Sequence, residues 1–359
     1  VAITRPCYVN RERVKQAADI KLTTHNDWQV DDAIEAASDA VDGLLHRVFY
    51  TTLATRFFSW PNFQATYPWK IYLDASELAD VTGTVPIVTT GGTSPTVIPA
   101  GNLLWEPANY GPPYNILEIN RSTSSTFGTG NTPQRDVHIL GQFGFQDVFA
   151  PAGALGAAMG DTTSTSAQVT NGALIGVGDI MAVGTERMLV TDKAVVTAGQ
   201  TQQGAGAGTA SMADNLLTVT DGSKFAAQEV LLLDAERMLI VDVAGNGLSV
   251  KRAWDGTTLA AHTGATVYAL RLLTVTRGAF GSTAATHLSA AAATRAVVPP
   301  LVRQLSLAEA IVDVAQQTGA YAQVQGDGAS KVVKIGQGLP DLRARTLAQF
   351  GRTARSRTV

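Results

Sequence analysis

The sequence predicts an α+β protein. Its helical core has a long helix near the N-terminus, another toward the C-terminus and a small β-sheet, and is interrupted by an inserted all-β domain of two nested repeat modules. Three observations predict this. Apolar residues recur at steps of three and four between Val30 and Val48. Of the 24 aromatic residues 18 fall before residue 151, so the composition changes where the insert should begin. Finally, VGTERMLV (Val183–Val190) returns as LDAERMLIV (Leu233–Val241).

The chain opens with a short basic helix, NRERVKQAADIK, from Asn10 to Lys21. The long helix follows over residues 24–50, with Thr24 or Asn26 as N-cap and acidic residues in its first half, where the helix dipole favours them. Val30, Ile34, Ala37, Val41, Leu44 and Val48 form its apolar stripe. Asp31, Asp32, Glu35, Ser38, Asp39 and Asp42 read as its wet face, and His46 and Arg47 close its last turn. Strands are expected at 71–73, 85–90, 103–106, 116–120 and 137–145, separated by Gly, Pro, Asn and Ser clusters. The aromatic cluster from Phe57 to Tyr72 reads as core, because Lys70 is its one basic residue and base stacking wants interleaved cations.

The Ala/Gly/Thr-rich segment 153–166 reads as a linker into the insert, 153–296. The second repeat copy continues into Leu248–Arg252, Asp255-Gly256-Thr257-Thr258 and His262. The first copy finds its continuation only later, in Leu273–Gly278, Phe280-Gly281-Ser282-Thr283 and His287. A nested module at about 214–271 therefore sits in a hairpin of an outer module, about 167–198 plus 272–290, since loop tips tolerate insertions. Glu186 and Glu236 occupy matching positions, as do His262 and His287. One Glu and one His per module is too few ligands for a metal, so these four residues are expected to be structural. A further helix starts at Pro299-Pro300 and ends before Gly319, then residues 326–338, a short helix over 340–350 and an Arg-rich end.

Net charge is −3, split between +6 over residues 331–359 and −9 elsewhere, so an acidic body carries a basic tail. Cys7 is the single cysteine, which excludes an internal disulfide and fits assembly in a reducing cytoplasm. No apolar run approaches the ~18 residues of a membrane helix, and no leader-like pattern opens the sequence. There is no phosphate-binding Gly loop with Lys-Ser/Thr, no nucleophile elbow and no close histidine pair, so neither enzyme chemistry nor a cofactor is expected.

The two opening helices, the Arg47-Val48-Phe49-Tyr50 end of the second, and the strand VHILGQFGF (Val137–Phe145) resemble the head–tail connector, or adaptor, proteins of long-tailed bacteriophages. The E-R-M-x-V and R-G-x-x-G-T/S segments are similar to accessory modules of phage structural proteins. The resemblance covers roughly residues 8–150 and 297–359, within an adaptor core assigned to 1–152 and 297–359, and the insert departs from it. It implies a virion protein of the neck, in a ring of about twelve copies. The ring would join the portal to a head–tail stopper or other neck protein around a DNA channel that binds no sequence. It further implies a portal-docking tail (Arg343, Arg345, Phe350, Arg352, Arg355, Arg357), with the insert turned toward capsid or decoration proteins. An alternative is a tail or baseplate protein whose β-modules bind glycan or another virion protein. A hydrolase acting on cell-wall polymer would need converging acids and a groove.

Overall fold

The computed structural model describes residues 3–18, 27–61, 67–82, 86–203, 214–318 and 338–352. The chain is mostly β-sheet, with 35% strand against 21% helix, and its largest element is a ten-stranded antiparallel sheet. The expected helical adaptor core with a small sheet is therefore corrected. The physical reason lies in segments whose composition argues against strand. Phe149–Ala154, Ser166–Gln168 and the Thr/Ala/Gly-rich end of Glu186–Thr201 are all extended, because a partner strand supplies backbone hydrogen bonds that outweigh weak local propensity.

Two compact units divide the chain: residues 1–41, 149–279 and 283–349, and residues 42–148, 280–282 and 350–359.

In the first unit, α1 (Arg11–Ala17) is capped by Asn10, whose side chain accepts from the Arg13 N–H at 3.0 Å. Helix α2 (Asp27–Leu45) buries Val30, Ala33, Ile34, Ala37 and Val41. Its expected stripe fails at the C-terminal end: Leu44 is half-buried, and Val48 lies past the helix and is 41% exposed. The expected wet face also fails at two positions. Ser38 is fully buried, bonding the Ile34 carbonyl (2.8 Å) and the Tyr8 N–H (3.1 Å). Asp31 is buried under Arg11. The proposed caps Thr24 and Asn26 lie outside the described residues. Helices α3 (Pro300–Thr318) and α4 (Leu339–Phe350) follow, α4 passing into the second unit at its last residue.

The large sheet is two copies of one module. A shift of 50 residues carries the buried Ala167, Val169, Ile175, Met181, Val183, Met188 and Val190 onto Leu217, Val219, Phe225, Leu231, Leu233, Met238 and Ile240. A shift of 25 carries Leu248 and Val250 onto Leu273 and Val275. The two shifts differ because the nested module interrupts the outer one. Both are strung on one ribbon, where Glu186–Thr201 pairs antiparallel with Thr266–Thr276 through three register shifts. Backbone conformation repeats too: Gly184, Gly178 and Gly278 have positive φ, and so do their equivalents Asp234, Gln228 and Ala253.

In the second unit Val137–Phe143 is one of two inner strands of a four-stranded sheet, paired antiparallel with Thr52–Phe58 and with the other inner strand, Ile87–Thr90; Thr96–Ile98 completes it. Its alternate residues Val137, Ile139, Gly141 and Phe143 face the core. At Gly141 a Cβ would stand 2.5 Å from Leu78 Cδ2, so a larger residue there would have to move the buried Leu78 side chain. A three-stranded sheet (Lys70–Tyr72, Ile116–Ile119, Leu103–Glu106) contributes Ile71 and Leu117 to the same core.

Candidate functional site

The residues singled out in the repeat come together as two equivalent carboxylate cages. Glu186 begins the strand Glu186–Thr201 and is fully buried. Arg277 forks onto it, Nε to Oε1 at 2.6 Å and Nη2 to Oε2 at 2.8 Å. The N–H groups of Gly278 (3.1 Å) and Ala285 (3.0 Å) and the Nε2 of His287 (2.7 Å) complete the set. In the nested module Glu236 holds the same partners 25 residues earlier. These are Arg252 (2.8 and 2.7 Å), the N–H groups of Ala253 (2.8 Å) and Ala260 (3.0 Å), and His262 Nε2 (2.9 Å). His262 Nδ1 additionally meets Asp234 Oδ2 at 2.7 Å; the outer module has Gly184 at that position.

Burial acts to raise both glutamates, but the arginine forks, backbone N–H groups and histidines outweigh it and hold each carboxyl at about 2, against the usual 4.5. Five donors occupy the lone pairs of each carboxylate, and the side chains of Glu236 and His262 are fully buried. A carboxylate so filled has no oxygen left for a substrate proton or a metal. Among the described residues no group of three or more His, Cys, Asp or Glu is arranged to hold a metal ion. The cages are buried clasps that tie the far end of each module to its hairpin.

Sequence reasoning missed the arginines that complete the cages. The signal was present, since Arg252 and Arg277 each stand ten residues before the histidine of their module.

A second charged cluster in the same unit contains Asp31, a position the helical pattern marks as wet. Arg11, 7% exposed, donates to Asp31 (2.7 and 2.6 Å) and to Asp192 Oδ1 (3.0 Å). Lys15, 6% exposed, bridges Asp27 and Asp255, and Asp255 also takes Arg237. Burial raises Asp31 above the ordinary carboxylate range despite Arg11. At Asp27 burial is overcome by Lys15 and Arg11, and its carboxyl is lowered. The network ties α1 and α2 to the ribbon through Asp192 and to the nested module through Asp255. The cavity it surrounds measures about 40 Å³, room for water rather than substrate.

Arg47 and Phe49 of the R-x-F-Y segment and Phe145 of the VHILGQFGF segment meet Phe350 in the second unit. Phe49, Phe145 and Phe350 pack together with centroids 5.0, 5.7 and 5.9 Å apart, the Phe350 ring edge-on to the other two. Arg47 lies over Phe145 at 5.2 Å and donates to the Phe350 carbonyl and to Glu77, both at 3.0 Å. The Phe145 N–H bonds the Val48 carbonyl and the Arg352 N–H bonds that of Leu45. The chain matches no family model, no curated protein and no solved structure. The resemblance therefore rests on its short sequence motifs alone.

Of the expected docking tail, Phe350 is half-buried in the junction and Arg343 forks onto Glu309 at 2.5 and 2.7 Å, so both are engaged within the chain. Arg345 is exposed and Arg352 half-buried. Arg355 and Arg357 lie outside the described residues.

Proposed function

We propose that this chain is a structural protein of a phage virion. In this reading it acts as a head–tail adaptor whose copies ring the DNA channel between the portal and the next neck protein, and it has no catalytic role. The observation that carries the reading is the junction of Arg47, Phe49, Phe145 and Phe350. It joins the segment after the long helix and the segment after the Val137–Phe143 strand, both in the motifs that resemble the adaptor family, to the end of α4, which the resemblance assigns to the docking tail. The closed cages support it in a second way. They spend the best acid and base groups of the chain on rigidity, as suits a part that bears contacts.

Docking on the portal is then assigned to Arg345 and the segment after Arg352, since Arg343 and Phe350 are already engaged. The β-modules are assigned to contacts with capsid or decoration proteins. Cryo-electron microscopy of intact virions tests the reading, with the full chain and with a chain ending at Arg352. Twelve copies beneath the portal, and loss of attachment on truncation, are expected. Finding the chain at the tail tip would overturn the proposal in favour of a tail or baseplate protein working through its β-modules. Normal assembly of the truncated chain would overturn the docking assignment.

A further inference from the structure

Three arginines in the first unit stand together without partners to match. Arg13 lies on α1, Arg295 on the strand Ala292–Ala296 and Arg303 in the first turn of α3. All three line one cavity of about 50 Å³. Among the described residues none of these guanidinium groups makes a hydrogen bond, although each carries five N–H donors. The carboxylate in the cavity wall is Asp179, and it is already engaged by Asn10 Nδ2 at 2.8 Å and the Gly176 N–H at 2.7 Å. Arg295 Nη1 stands 3.6 Å from it, too far for a hydrogen bond. Burial, then the charges of Arg13 and Arg295, depress the Arg303 guanidinium below its usual range.

This arrangement contrasts with the rest of the unit, where Arg11, Arg252, Arg271 and Arg277 each fork onto a carboxylate. Three positive charges against one acid leave the cavity at +2. The cavity also abuts the start of α3: Val297 and Val298 line it, and the Arg303 N–H makes the bond to the Pro299 carbonyl. The N–H groups just before Arg303 thus have no acceptor within the helix, and the positive end of its dipole adds to the arginines. What balances this site is an anion of charge near −2, with several acceptor oxygens and the size of a single group.

We propose that Arg13, Arg295 and Arg303 form a binding site for a phosphate-class oxyanion, either inorganic phosphate or the phosphate of a monoester, seated at the N-terminus of α3. Guanidinium forks match tetrahedral oxyanions in bidentate fashion, and a helix N-terminus supplies further donors. The cavity holds the phosphate group alone, so the remainder of an ester would lie outside it, beside the exposed Arg13.

The test is calorimetric titration of the full chain with sodium phosphate at fixed ionic strength, with glycerol 3-phosphate and acetate titrated in parallel. Saturable binding of one phosphate per chain is expected, weakened about tenfold or more by Arg303→Gln and by Arg13→Gln. Without phosphate, Arg303→Gln should melt no lower than the parent, because it relieves repulsion and removes no hydrogen bond. Equal binding of glycerol 3-phosphate would identify a site open to larger phosphate-bearing ligands, and binding of inorganic phosphate alone a closed ion site; both sustain the proposal. No saturable heat, an acetate titration matching that of phosphate, or unchanged binding in both variants would overturn it. If Arg303→Gln does not fold, the exposed Arg13→Gln decides the matter.

Discussion

Replacing Glu236 by Gln tests whether the cage holds the nested module. The side chain is fully buried and accepts five hydrogen bonds, two from Arg252. Gln keeps the shape but turns one acceptor oxygen into an NH₂ group. In either orientation that group faces at least two donors: Arg252 Nε with the Ala253 N–H, or Arg252 Nη2 with the Ala260 N–H and His262. Arg252, 4% exposed, would also lose the carboxylate onto which it forks. Hydrogen bonds to charged groups are worth about 1.5–3 kcal/mol, and breaking a buried pair costs about 3–5 kcal/mol. Retention of shape and of one acceptor places the expected loss near 3 kcal/mol, about a 150-fold rise in opening. Amide hydrogen exchange over Val230–Leu233 and Glu236–Ala244 reads this directly. Glu186→Gln should do the same to Ile180–Val183 and the start of the Glu186–Thr201 strand. Arg252→Met combined with Glu236→Gln should cost at least about 1.5 kcal/mol less than the sum of the two single changes. A loss below about 1 kcal/mol, or additive single effects, would refute the reasoning.

The cages also set an acid limit. Because Glu186 and Glu236 are held at about 2 in the folded chain, their contribution is fully present above the unfolded value of 4.5 and is lost as pH falls toward 2. It amounts to roughly 3 kcal/mol per module, and near-ultraviolet circular dichroism between pH 5 and pH 2 should follow its loss. Gly281 has φ +79°, and a Cβ there would stand 2.1 Å from the Leu53 carbonyl oxygen, so Gly281→Ala should cost about 2–4 kcal/mol in urea unfolding of the second unit. Phe350→Ala strips the junction of one ring and should cost about 2 kcal/mol by the same assay; a change within 0.5 kcal/mol would mean that the ring is not anchored there. Burial pushes the Cys7 thiol up, so native protein should resist iodoacetamide and react only in denaturant, whereas rapid native alkylation would contradict the packing at Gly178.

Local pattern by itself determined the helices, where spacing is strong: Leu301, Leu305, Ala308, Val312 and Ala315 mark α3, and Val30 to Val41 mark most of α2. It also determined which residues of the two modules are equivalent, because E-R-M-x-V and the paired histidines are short-range signals that survive an insertion between them. The tertiary structure alone decided the balance of fold class. Asp192–Thr201 has the composition of a linker and becomes strand because Thr266–Thr274 lies alongside to take its backbone hydrogen bonds. Burial of Asp31, Ser38, Arg11 and Lys15 was likewise invisible in sequence. Helical periodicity marks polar positions as wet, and only packed neighbours bearing complementary charge or a free carbonyl make them cheap to bury. The Arg13, Arg295 and Arg303 cluster is the limiting case, since its members come from three elements 282 and 8 residues apart in sequence and become one site only when α1, a strand and α3 meet.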